Sequence, residues 1–229
     1  MKKVISAFLM LLFILYGCGL TGGETTPPSA GIYIIHASPN APAMDVALNS
    51  NPIATGYVYG KDSGYFLTAP GTYAFQVTQL NVSTPVLDQL VNLPVGNYYS
   101  MYLIDSFSKQ KVLFIEDKLT TDTFSYAKIR LFDFCPNSPK AKAIFASTNQ
   151  DTLIFSGRYF NDQGTSGGYT NFSAVPAGTY NLTLYQTDTT LFIKDLGNIV
   201  FSGGKYYTVY MKGLYDNTTT PLGIATIQH

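Results

Sequence analysis

Tryptophan is absent from this 229-residue chain, and charge is scarce: Asp, Glu, Lys and Arg together make up 12%. Basic and acidic residues balance at 14 each, so there is no cationic face to hold nucleic acid, and no such partner is expected. Two histidines, one of them His229, and two cysteines cannot assemble a zinc constellation. The carboxylate spacing of a calcium loop is missing around Asp162, and Gly167-Gly168 precedes no helix whose dipole could hold phosphate. Neither a metal nor another cofactor is expected. Helical periodicity is lacking in the apolar segments, which excludes a bundle.

What is present points to strands and tight turns. Tyr (18) and Phe (15) are abundant, alongside 20 Gly and 12 Pro. A turn followed by Gly-x-Tyr occurs four times, at Gly71-Thr72-Tyr73, Gly96-Asn97-Tyr98, Gly178-Thr179-Tyr180 and Gly204-Lys205-Tyr206. The first two lie 25 residues apart and the last two 26, and the pairs are offset by 107 and 108. This spacing reads as the tandem duplication of a β domain. Gly71, Gly96, Gly178 and Gly204 are expected at turn corners, and at Pro70-Gly71 the glycine is expected to take the positive φ. Beyond the turns, Tyr73, Phe75 and Val77 share one face, as do Tyr180, Leu182 and Leu184, the alternation of a half-buried antiparallel strand.

The first segment is a targeting signal by composition. Lys2 and Lys3 precede an apolar run, Val4 to Tyr16, too short to span a bilayer comfortably. It ends in Leu15-Tyr16-Gly17-Cys18, which resembles the lipobox of bacterial lipoproteins. Residues 1–18 are then a signal peptide whose Cys18 becomes acylated and anchors the protein to the membrane. Residues 19–30, rich in Gly, Thr and Pro, form a flexible tether. Residues 31–117 and 126–229 are the two domains, and 118–125 a polar linker. The expected location is the bacterial cell envelope, lipid-anchored at the periplasmic face or the cell surface. With Cys18 acylated, Cys135 lacks a disulfide partner and is expected to be a small buried hydrophobe.

The run from Ile34 to Val46 (Ile-Ile-His-Ala-Ser-Pro-Asn-Ala-Pro-Ala-Met-Asp-Val) resembles the opening signature of domain of unknown function family 4397. Tyr65 to Tyr73 is similar to that family's second signature. The resemblance implies an envelope protein, often built of tandem copies, with no established activity to carry over. In the second copy Pro136-Asn137-Ser138-Pro139 mirrors Pro39-Asn40-Ala41-Pro42, while Asp133, Cys135 and Lys142 stand in for His36, Ser38 and Asp45. Ten residues are inserted there, with Asn161 to Gly168 expected as a flexible loop. The expected fold is all-β: two tandem immunoglobulin-like antiparallel β-sandwiches of seven or eight strands each.

His36, Ser38 and Asp45 invite a triad reading, but Ser38 precedes a proline and no nucleophile elbow is present. Asp45 is instead expected to accept backbone N–H groups near Asn40 to Ala43, stiffening the Pro39–Pro42 corner. Alternation turns Tyr98, Tyr102, Tyr206 and Tyr210 away from the cores, a candidate surface for a protein edge or a sugar. Cross-strand packing or interdomain filling is the plainer role for them. Taken together, a non-catalytic structural or adhesion-like binding lipoprotein is expected, with a glycan-binding protein and an envelope hydrolase as alternatives.

Overall fold

The computed structural model describes residues 29–120, 123–149, 151–187 and 189–229. The Cys18 lipobox and most of the tether lie outside them. The first sandwich runs β1 (Ala30–His36), β2 (Met44–Leu48), β3 (Asn51–Tyr57), β4 (Asp62–Thr68), β5 (Gly71–Gln79), β6 (Pro85–Leu93), β7 (Tyr98–Ile104) and β8 (Lys111–Glu116). The second runs β9 (Ala127–Asp133), β10 (Ala141–Ser147), β11 (Thr152–Arg158), β12 (Ser173–Val175), β13 (Gly178–Gln186), β14 (Phe192–Phe201), β15 (Tyr206–Lys212) and β16 (Gly223–Gln228).

Sheet order repeats strand for strand. In the first copy β4-β1-β7-β8 faces β3-β2-β5-β6, and in the second β12-β9-β15-β16 faces β11-β10-β13-β14. Pairing is antiparallel except between β1 and β7 and between β9 and β15, which run parallel. These strands come together only after the chain has crossed to the other sheet and back, which allows the parallel sense. Each sandwich closes over its own core, with Ile32, Phe75 and Met101 in the first and Ile129, Leu182 and Val209 in the second.

A third core lies between the sandwiches. Tyr33, Ile35, Tyr102 and Ile104 from the first copy pack with Phe132, Phe134, Tyr210 and Ile227 from the second. The sheets carrying β1 and β9 therefore lie face to face, giving four layers. This explains why β1 is buried at every residue: Ile32 and Ile34 point into their own sandwich, while Tyr33 and Ile35 point into the junction.

Three local expectations need correction. Gly71 (φ 157°) has the expected positive φ, and Gly96 (φ 78°) and Gly204 (φ 74°) take left-handed corners, but Gly178 is not among the positive-φ residues. Gly178 is the first residue of β13, already in ordinary strand geometry. Asp45 does not brace the Pro39–Pro42 corner: its Oδ1 accepts the Gly56 N–H at 2.7 Å, across the irregular β2–β3 pairing. That corner turns on Asn40 (φ 61°) and is tied down by the Ser38 hydroxyl, which donates to the Asp105 carbonyl at 2.5 Å. The inserted loop is not loose. It forms 3-10 turns at Asp162–Gly164 and Gly167–Thr170, and Arg158 clamps Asp162, with Nη2 donating to Oδ1 at 2.7 Å. The Asn161 N–H also bonds the Asp133 carbonyl at 2.9 Å, so the insertion covers the part of β9 that short β12 leaves unpaired.

Candidate ligand site at the sandwich junction

The four candidate tyrosines point away from their own cores, as alternation requires, but three of them are covered: Tyr102 and Tyr210 by the other copy, Tyr206 by the linker and by Phe172 of its own copy. Tyr102, Tyr206 and Tyr210 are 0%, 6% and 2% exposed, against 37% for Tyr98. This corrects the expected open stripe and matches the plainer role of interdomain filling for Tyr102 and Tyr210, which the other copy's sheet covers. Tyr102 sits edge-on to Phe132 (5.6 Å) and near Phe134 (4.9 Å), and its hydroxyl has no hydrogen-bond partner.

Beside this apolar patch runs a sealed polar network that sequence reasoning did not find. Asp117, placed at the edge of a polar linker by the sequence, is 2% exposed and ion-paired with the wholly buried Arg130. Its Oδ2 accepts hydrogen bonds from the Ser100 and Tyr65 hydroxyls, both at 2.6 Å. Arg130 Nε donates to Thr208 Oγ1 at 2.7 Å. Because guanidinium can only donate, Thr208 accepts from Arg130 and keeps its own proton available for His229 Nε2, also at 2.7 Å. His229 Nδ1–H then donates to Tyr65 Oη at 2.7 Å, and Tyr65 donates to Asp117. This chain of bonds accommodates a neutral imidazole. Burial, reinforced by Arg130 and opposed by Asp117, pushes the His229 pKa down to about 4. One sequence signal could have exposed this network: a lone Arg130 inside apolar Ile129-Arg130-Leu131-Phe132 demands a buried partner.

From the network a row of rings leads to the surface on both sides. Tyr98 meets Tyr65 (5.1 Å), Tyr65 meets His229 (5.8 Å), and His229 meets Phe172 (5.9 Å). Phe172 meets Tyr206 (4.9 Å), Tyr206 meets Phe124 (5.3 Å), and Phe124 meets Tyr126 (5.1 Å). The row crosses from one copy to the other, and its end residues, Tyr98 and Tyr126, are 37% and 39% exposed. Tyr98 can lie there because Gly31 has no side chain; a Cβ at Gly31 would fall 2.3 Å from the Tyr98 ring.

Midway along the row a cavity of about 290 Å³ opens. Lys118, Thr120 and Lys128 line one part, Thr170, Asn171 and Phe172 another, and Tyr206 joins them. Tyr206 is fixed through its hydroxyl: Lys128 Nζ donates to it at 2.7 Å and the Thr120 N–H at 3.1 Å. Burial pulls the Tyr206 pKa up, but the bonds from Lys128 and Thr120 outweigh it and hold the phenol below its ordinary value. Lys128 also lies over the Phe124 ring at 4.4 Å. Of the four sequence candidates, Tyr98 and Tyr206 therefore belong to this site, while Tyr102 and Tyr210 belong to the apolar junction.

The other singled-out residues are occupied locally. His36 Nε2 lies 3.4 Å from the Pro42 carbonyl, Ser38 bonds Asp105 and Asp45 bonds Gly56, so the three are not brought together. Cys135 is buried, with burial and Asp133 pushing its thiol up to about 11. Among the described residues no cluster of His, Cys, Asp and Glu could hold a metal ion.

The profile of a domain-of-unknown-function family, DUF4397, matches residues 30–144. The chain belongs to the DUF4397 family. The match takes in the whole first sandwich and continues through β9 into β10. No curated protein matches the chain. Among solved structures, it is 12% identical to a candidate cell-adhesion protein from Bacteroides eggerthii, over 90% of this chain and 97% of that one, with a TM-score of 0.27. It is 8% identical to a family 26 carbohydrate-binding module of Eubacterium rectale Amy13K, crystallised with maltoheptaose, over 88% and 96%, with a TM-score of 0.25. A leucine-rich repeat protein of Bacteroides thetaiotaomicron gives 11% identity and a TM-score of 0.21, over 85% of this chain and 26% of that one. At such TM-scores these likenesses carry no argument about what this DUF4397 protein does.

Proposed function

We propose that this DUF4397 protein is a non-catalytic binding module of the bacterial cell envelope, lipid-anchored through Cys18, which holds a glycan or protein ligand at the junction of its two sandwiches. The observation that carries the binding reading is the row of aromatic rings from Tyr98 to Tyr126 with a polar cavity opening beside Tyr206. Rings held by packing and hydrogen bonds present a contact surface that loses little entropy on binding. A non-catalytic role is supported by the use made of the ionisable groups, since Asp117, Arg130 and His229 are spent on one another inside the junction.

Two experiments test the reading. A glycan and protein array probed with the protein should give a ligand whose capture falls when exposed Tyr98 and Tyr126 are both changed to Ser. Capture by the variant equal to wild type would remove the site. For the anchor, labelling of cells with a clickable fatty acid should mark the wild type but not Cys18→Ser, and the variant should move to the soluble fraction. Equal labelling of the two would refute lipidation at Cys18.

A further inference from the structure

Lys118 and Lys128 bring two ammonium groups to the cavity beside Tyr206, and no carboxylate is among its described lining residues. Lys128 is committed to the wall, bonded to Tyr206 and stacked on Phe124. Lys118 is exposed at the cavity and can swing its charge to meet a ligand. Asn171, also exposed, offers an amide donor and acceptor nearby. Phe172 is half-buried: the Arg130 guanidinium lies 4.4 Å from its ring centre, and the part of the ring left uncovered borders the cavity. The volume stands at the low end of the roughly 300–1,000 Å³ of small-ligand sites.

Aromatic surface, neutral hydrogen-bonding groups and positive charge within one small concavity suit a sugar ring that carries a carboxylate. The ring's C–H face packs on Phe172, its hydroxyls meet Asn171 and Thr120, and the acid group meets Lys118. The positive field of the two lysines also draws an anion into the cavity. We propose that this cavity binds an acidic saccharide, of the uronic-acid class, with Lys118 as the residue that selects the charged ligand. This rests on the binding reading above and narrows it to one ligand chemistry.

The test is calorimetric titration of the full chain in detergent with three probes: tetragalacturonate, its fully methyl-esterified form, and tetraglutamate. The acid oligosaccharide should bind at least about tenfold tighter than the ester, and more weakly as salt rises. Lys118→Met, which keeps an apolar stem at an exposed position, should remove most of that difference, with affinity for the acid falling toward that for the ester. Equal binding of acid and ester would overturn charge selection while leaving a saccharide site standing. Tetraglutamate binding as tightly as tetragalacturonate would overturn the saccharide assignment in favour of an acidic peptide. No binding of either saccharide by a protein with native circular dichroism would overturn the inference, with the broader binding reading still decided by the array. A Lys118→Met variant that keeps the full preference for the acid would place the selecting charge elsewhere.

Discussion

The four Gly-x-Tyr units look alike in sequence and are of two physical kinds. In two of them the tyrosine turns inward and ties its own turn: Tyr73 donates to the Ala69 carbonyl at 2.7 Å, and Tyr180 to the Pro176 carbonyl at 3.0 Å. Neither of their glycines takes the left-handed helical backbone, although Gly71, at φ 157°, still lies where side chains rarely go. In the other two the glycine does, and the tyrosine, Tyr98 or Tyr206, turns outward to the junction. Accordingly, Gly96→Val and Gly204→Val should each cost about 1–3 kcal/mol, because a β-branched residue resists positive φ. Gly178→Ala should cost well under 1 kcal/mol, since a Cβ there meets only the Tyr180 ring at 3.9 Å. Urea midpoints rank these variants. At the same scale, His229 links stability to pH. Its folded pKa of about 4 lies below the 6.5 of an unperturbed histidine, so its contribution is complete above pH 6.5 and is lost as pH falls toward 4. The whole effect is at most roughly 3 kcal/mol. Asp133 works the other way: burial raises its pKa from 3.8 to about 7, so it favours the folded state increasingly as pH falls through that window. The informative measurement is therefore the difference between wild type and His229→Gln in unfolding free energy from pH 7 to 4.5. It should shrink steadily as pH falls; a constant difference would mean that His229 does not titrate on unfolding.

At the scale of elements, the junction is built from equivalent positions of the two copies that have become complementary. Ser100 and Thr208 occupy the same place in β7 and β15, and Asp117 and His229 follow β8 and β16 in the same register. Their N–H groups bond the Tyr98 and Tyr206 carbonyls at 2.8 and 2.9 Å. On the opening strands Tyr33 corresponds to Arg130. One copy thus supplies the acid and the other the base of a single buried pair. Asp117→Ala should cost about 3–5 kcal/mol by stranding Arg130 without a counter-charge, while Asp117→Ala combined with Arg130→Met should recover much of the loss. Denaturant unfolding of the single and double variants measures both, and a double variant no better than the single would show that the pair itself is needed. Much of the architecture was legible in the sequence, because alternation at Tyr73-Phe75-Val77 and the repeated turns constrain a strand locally. The junction was legible only in part: interdomain filling stood among the plainer roles for Tyr102 and Tyr210, but alternation tells only that they leave their own core. It cannot tell whether water or another sheet receives them. The unbroken run Ile32-Tyr33-Ile34-Ile35 was the available clue, since a strand apolar on both faces needs cover on both. The cavity was hidden for a different reason. Lys118 comes from the linker, Lys128 from β9, and Phe172 and Tyr206 from much later in the second copy, so only the folding of that copy with the linker laid against it brings them together.

At the scale of the whole molecule, a third core and a buried charge network between two sandwiches argue against independent modules joined by a loose linker. Burying one large aromatic side chain is worth about 1.5–3 kcal/mol, and the junction buries Tyr102, Phe132, Phe134 and Tyr210 together. The described chain should therefore unfold in a single calorimetric transition. Tyr102 provides the sharpest probe of this coupling, because it belongs to β7 of the first copy while its ring contacts lie on β9, just after it and on β15 of the second. Its hydroxyl is buried without a partner, so Tyr102→Phe removes an unsatisfied group and should leave stability unchanged or raise it by about 1 kcal/mol. Tyr102→Ala empties the site and should cost about 3–5 kcal/mol. The loss should reach both copies: hydrogen exchange should quicken in β10 and β13, deep in the second sandwich, as much as in β2 and β5 of the first. If exchange in β10 and β13 stays at the wild-type rate while β2 and β5 lose protection, the sandwiches open separately. The junction would then be a contact between two folding units and not a part of one.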